Sequence, residues 1–163
     1  MNPPLFLRPG DYFFGRHQGS VTTLLGSCVS IVLWHPRWQL LAVSHYLLPN
    51  DPTARNALDT RYGEGVFQRM LADMRRHGTH PHEYRKSIFG GGSLVRADGP
   101  PAQRVGHNNS TFAREQFSLR NWPVDHCDLN GQHYRRLRID GASGLIECQR
   151  NSVQPLRLGM RPR

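Results

Sequence analysis

The chain reads as a single α+β domain, a layered sheet with helices packed outside it. Three observations predict this. Apolar runs of strand length flank turn residues near the start, a central stretch repeats its apolar residues at helical spacing, and three short strand-like runs separated by Asn-Gly and Asp-Gly follow. At 163 residues the chain has the size of one domain and can bury a core.

Taken in order, Val29–Trp34 and Leu40–Ser44 flank His35-Pro36-Arg37-Trp38 and form a β-hairpin pattern. With the turn centred between Pro36 and Arg37, Cys28 falls directly opposite His45. Opposed residues share a face, with Cβ atoms roughly 4.5–5.5 Å apart, and the opposition depends on where the turn is centred. Asn50–Asn56 is a polar connector beside this pair. From Thr60 to Arg76, Val66, Phe67, Met70, Leu71 and Met74 recur at helical spacing and Gly78 supplies a stop. Ile88-Phe89 leads into Gly90-Gly91-Gly92, which lacks the Lys-Ser/Thr of a phosphate-binding loop and reads as a close-packed backbone turn near the reactive pair. A second helix is predicted over Ser110–Leu119, capped by Asn109 or Ser110, with Phe112, Phe117 and Leu119 inward. Strands are predicted at Val124–Leu129, Tyr134–Ile139 and Gly144–Gln149. The domain is expected to span residues 1–149, and 150–163 to form a basic, mobile tail.

Cys28 stands between a Gly26-Ser27 turn and a buried strand, where a scaffold can hold a nucleophile at the surface. A free thiol has a pKa of about 8.5, and a neighbouring imidazolium lowers it toward neutrality. The imidazole then protonates the leaving group. Such a pair serves acyl transfer at an amide or ester through a thioester, with backbone N–H groups of the Gly26-Ser27-Cys28 turn as oxyanion donors. The competing reading is a core thiol and a structural histidine. Cys127 and Cys148 lie in strand-like segments and read as core thiols. Three widely spaced cysteines are no disulfide framework and fit a reducing compartment.

The segments Val21-Thr22-Thr23-Leu24-Leu25-Gly26-Ser27-Cys28-Val29 and Ser44-His45-Tyr46-Leu47-Leu48-Pro49 resemble the CheD chemoreceptor glutamine deamidases. Arg61-Tyr62-Gly63, Ile88-Phe89-Gly90-Gly91-Gly92, Val105-Gly106-His107-Asn108-Asn109, and Asp128-Leu129-Asn130-Gly131 with Arg135 follow in that family's order. The resemblance implies a hydrolase fold shared with bacterial toxin deamidases. It also implies conversion of glutamine to glutamate on methyl-accepting chemotaxis receptors. In that reading Cys28 is the nucleophile, His45 the general acid/base, and Thr22, six residues before the cysteine, orients the imidazole; Gly26 and Ser27 support the oxyanion. Hydrolysis of glutamyl methyl esters is a side activity open to the same thioester chemistry. A CheC-type phosphatase is an implied partner. Two positions depart from the pattern: Asn130 replaces a glycine, which a residue tolerant of positive φ permits, and Ser87 replaces a lysine.

The net charge is +9, and twenty of the twenty-one Lys and Arg residues are arginine. That raises nucleic-acid binding as a rival, but the arginines are scattered and no recognition motif accompanies them. Under the family reading a basic face speeds encounter with acidic receptor bundles. Among the nine histidines, His77, His80 and His82 crowd together without zinc-finger spacing, so no metal or other cofactor is expected. No apolar run reaches membrane-spanning length and no secretion signal opens the chain, so a cytoplasmic location without membrane insertion is expected. The remaining alternative is an adaptor that binds receptors or phosphatases without turnover.

Overall fold

Burial on both faces of one strand organises the molecule. Every residue of β4 (Val29–His35) is buried, because β4 lies inside a sheet covered on both sides, which is why its sequence is a continuous apolar run. The structure, a computed structural model, describes residues 2–93 and 104–152. Before β4 come β1 (Leu5–Leu7), β2 (Tyr12–Gly15) and β3 (Ser20–Leu25); after it come β5 (Leu40–Ser44), α1 (Gly63–Arg76), β6 (Arg85–Gly90), α2 (Val105–Leu119), β7 (His126–Leu129), β8 (His133–Asp140) and β9 (Ile146–Ser152). The strands form two mixed sheets, ordered β1-β3-β8-β9 and β2-β5-β4-β6-β7. Pairing is parallel for β1–β3 and β6–β7 and antiparallel elsewhere.

The result is three layers: sheet, sheet, helices. Val29, Ile31 and Leu33 face the helices and pack with Val66, Phe67, Met70, Met74, Ala113 and Phe117. Val32 and Trp34 face the other way, meeting Val21, Leu25, Leu137 and Ile139 of the four-stranded sheet. The expected α+β domain with helices outside is therefore present, with both helices on one side.

Several expected boundaries differ. α1 begins at Gly63, after an extended Tyr62. α2 starts at Val105, five residues before the expected Ser110, although Gly106 and the two asparagines favour helix weakly. Tertiary packing decides it: a Cβ on Gly106 would collide with the Gly91 and Gly92 carbonyl oxygens, so glycine lets the helix press on that loop. Leu119, expected inward, is exposed. β7 and β8 belong to different sheets, so Asn130-Gly131 is not a hairpin turn but the step from one sheet to the other. Both residues have positive φ, 69° and 75°, which asparagine tolerates. β9 continues to Ser152, so Arg150 and Asn151 are strand residues paired with β8 and not tail; residues 153–163 lie outside the described residues. Cys127, expected in the core, is exposed.

Candidate active site

The β4–β5 hairpin differs from the expected register. His35 pairs with Leu40, Trp34 with Leu41 and Val32 with Val43, and an isolated bridge joins Val29 to Tyr46. The loop is Pro36–Gln39, with Gln39 at φ 52°, and its centre lies one residue later than predicted. Cys28 is consequently not opposite His45. A one-residue move of the centre shifts each partner by two, and side chains alternate with period two, so Cys28 and His45 still share a face. They are diagonal neighbours across the Val29–Tyr46 bridge, a spacing of about 7–8 Å between backbones that side chains can span. That face is the inter-sheet one, where half-buried Cys28 packs at the edge of the second core cluster.

The threonine that meets His45 is Thr23, where the family pattern points to Thr22. Along β3, Val21, Thr23 and Leu25 are buried while Thr22 is partly exposed and Leu24 is 56% exposed. Alternation thus turns Thr23 inward to the imidazole and Thr22 away from it. Thr23 Oγ1 lies 2.6 Å from His45 Nδ1 and donates to the Leu7 carbonyl oxygen at 2.9 Å. A hydroxyl has one hydrogen. With that hydrogen on Leu7, Thr23 can only accept from His45, so Nδ1 carries the proton and Nε2 holds the free lone pair. The parallel β1–β3 pairing, which sets Leu7 beside Thr23, is what fixes the tautomer.

Burial disfavours charge at both reactive groups. His45 is 2% exposed, and desolvation, partly opposed by the Asp11 carboxylate, lowers its pKa to about 4. Desolvation pushes the Cys28 thiol up to about 11. The expectation from sequence was a thiol activated by an imidazolium. In the folded protein burial instead favours the uncharged form of each group. Among the described residues, Cys28 Sγ has no hydrogen-bond partner.

The glycine loop after β6 fastens the Gly26-Ser27-Cys28 turn, as its composition suggested. Gly91 N–H donates to the Cys28 carbonyl oxygen and Gly92 N–H to that of Gly26, each at 2.9 Å. Gly90 has φ 112°, and a Cβ there would collide with the Cys28 carbonyl oxygen, so only glycine fits. The loop is held in turn by Arg135, 1% exposed, whose guanidinium pairs with Asp128 at 3.0 Å and donates to Gly90 and Asn130 carbonyl oxygens at 3.2 and 2.6 Å. This pair of a buried guanidinium and a partly buried carboxylate pins β8 of one sheet to β7 of the other. On the far side of the turn, Asn109 of α2 donates to the Ser27 and Leu47 carbonyl oxygens.

Two of these residues escaped sequence reasoning in their roles. Thr23 was legible in principle, because Val21 and Leu25 mark its face as inward, but apolar Leu24 blurs the alternation. The sequence marks Asn109 only as a candidate helix cap; it lies inside the helix, and no local signal shows that its side chain reaches two loops. A cavity of about 680 Å³ lined by Trp34, Arg85, Ser87, Asp125, Leu145 and Cys148, among others, opens toward the other end of β4 and includes none of the candidate residues.

A family model described as CheD chemotactic sensory transduction matches residues 47–150. The chain belongs to the CheD family. Among its relatives, "Probable chemoreceptor glutamine deamidase CheD 3" of Dechloromonas aromatica is 34% identical over 141 residues, covering 86% of this chain and 83% of the relative. "Probable chemoreceptor glutamine deamidase CheD 2" of Albidiferax ferrireducens is 35% identical over 143 residues, with the same coverage of each. "Probable chemoreceptor glutamine deamidase CheD" of Pseudomonas savastanoi pv. phaseolicola is 34% identical over 163 residues, 96% of this chain and 92% of its own. This CheD-family chain has no helix, among the described residues, long and apolar enough to cross a membrane.

Proposed function

We propose that the protein deamidates glutamine side chains of methyl-accepting chemotaxis receptors by thioester chemistry at Cys28. The observation that carries this reading is His45, held as the Nδ1–H tautomer by Thr23 and Leu7 on the face it shares with Cys28. Its Nε2 is then the base. As Sγ attacks the glutamine side-chain carbonyl, the thiol proton passes to Nε2, so the ion pair forms along the reaction and need not pre-exist. The oxyanion is met by backbone N–H groups of the Gly26-Ser27-Cys28 turn. The imidazolium returns its proton to the departing nitrogen, which leaves as ammonia. Water, deprotonated by His45, then hydrolyses the thioester to glutamate and frees the thiol. Thr23 accepts from Nδ1–H throughout and, being neutral, acts mainly by orientation.

The test is incubation with receptor cytoplasmic fragments and mass spectrometry for the roughly +1 Da change of amide to acid that hydrolysis at carbonyl carbon requires. Cys28→Ala is expected to reduce conversion to background while leaving receptor binding intact. Conversion that persists in Cys28→Ala would overturn the mechanism. Binding without conversion by the parent protein would favour the adaptor reading.

A further inference from the structure

Asn109 is fully buried in the second turn of α2, and the steps above make no use of it. Its Nδ2 donates to the Ser27 carbonyl oxygen at 3.0 Å and to the Leu47 carbonyl oxygen at 2.8 Å. These two oxygens decide which way the amide faces, because reversing it would set Oδ1 against both of them. Both amide hydrogens are used, and Oδ1 is left buried with no partner among the described residues. A buried acceptor without a donor is unfavourable. The residue's placement is therefore accounted for by what Nδ2 holds. One of its carbonyls belongs to the residue before Cys28; the other lies two residues beyond His45. Between them, the Tyr46 hydroxyl donates to the Asn109 carbonyl oxygen at 2.6 Å.

The peptide plane carries this anchoring into the site. The Ser27–Cys28 unit is trans, so its C=O and N–H point in opposite directions. With the Ser27 oxygen bound to Asn109, the Cys28 N–H points away from α2. Among the described residues no acceptor meets that N–H. We propose that Asn109 is the positioning residue of the oxyanion hole: it turns the Ser27–Cys28 peptide so that the Cys28 N–H faces the carbonyl oxygen of the acyl group under attack. This rests on Cys28 being the nucleophile, as proposed above, and not on glutamine being the substrate.

The test compares two reactions of one thiol, both read on the Cys28-containing peptide by mass spectrometry. With p-nitrophenyl acetate, Sγ bonds to the carbonyl carbon, the C=O π pair moves to oxygen, and p-nitrophenolate departs to leave an acetyl thioester, the thiol proton passing to His45. With iodoacetamide, Sγ displaces iodide from a CH₂ group and no oxyanion forms. Asn109→Ala is expected to slow acetylation at least about tenfold while alkylation stays within about twofold of the parent. Asn109→Asp keeps the shape and carries the test if the alanine variant does not fold. Its neutral carboxyl retains one donor and its ionised form none, so its acetylation rate relative to the parent is expected to fall as pH rises through that titration. Acetylation within twofold of the parent in Asn109→Ala, both reactions slowing in parallel, or a pH-independent ratio for Asn109→Asp would each overturn the proposal. A parent protein that acetylates at Cys28 but leaves receptor fragments unchanged would count against the substrate reading alone.

Discussion

The two apolar layers flanking β4 are built from alternate residues of the same strands yet serve different ends. The helix-side layer is closed by aromatic edges: Phe67 meets Phe112, Phe117 and Trp122 with ring centroids 5.8–6.1 Å apart. The inter-sheet layer is lined by Val21, Leu25, Val32, Trp34 and Phe89, and Thr23, His45 and Cys28 occupy one end of it. The difference teaches where this fold can hold reactive polar groups. A helix laid on a sheet covers its face, whereas two sheets packed face to face leave an edge where a loop can present a thiol and a strand end an imidazole.

The comparison breaks most severely if the helix-side layer also governs turnover. Phe67→Ala is expected to cost about 3–5 kcal/mol of stability, measured by denaturant unfolding, with kcat per folded molecule within about twofold of the parent. A fall in kcat larger than the folded fraction explains would show that the layers are coupled.

Acid offers a second way to separate them. His45 has a folded pKa near 4 against an ordinary 6.5, so the unfolded chain takes up the proton first. Stability is therefore expected to fall as pH drops from about 6.5 to about 4, by roughly 3 kcal/mol from this one group. His45→Asn should lack that component, visible as a flatter dependence of the unfolding midpoint on pH across the window. Parallel curves for the two proteins would mean that His45 is not buried as a neutral base.

The smallest effect discriminates the two threonines. Thr23→Val leaves the Nδ1–H and the Leu7 carbonyl without their shared hydroxyl and is expected to lower kcat about 10–100-fold through loss of imidazole orientation, with KM little changed. Thr22→Val, on the outward face, is expected to stay within about twofold. The reverse ranking would return the orienting role to the residue at the family position.

Much of the scaffold was legible because burial writes itself into composition. The uninterrupted apolar run of β4, the helical spacing of Val66, Phe67, Met70 and Met74, and the alternation of β8 each state which faces are covered. β1 and β2 were not legible: they are three and four residues long, and their pairing partners lie far along the chain. At the site, Cys28 and His45 were legible as residues, but their register was not. A four-residue loop with Gln39 in the left-handed region moved the centre by one, and only the period of two kept the pair on one face.

By itself the sequence determined the candidate site residues, the covered faces and, through Gly90-Gly91-Gly92 and the ordered motifs, the family. Those follow from side-chain chemistry and local periodicity, which are properties of consecutive residues. The tertiary structure decided which threonine meets His45, which tautomer it carries, that burial opposes charge on thiol and imidazole, and that Asn109 holds the segments next to Cys28 and His45. Each of these depends on a desolvated contact between segments distant in the chain, such as Leu7 with Thr23 or α2 with Ser27, and no local pattern records such contacts.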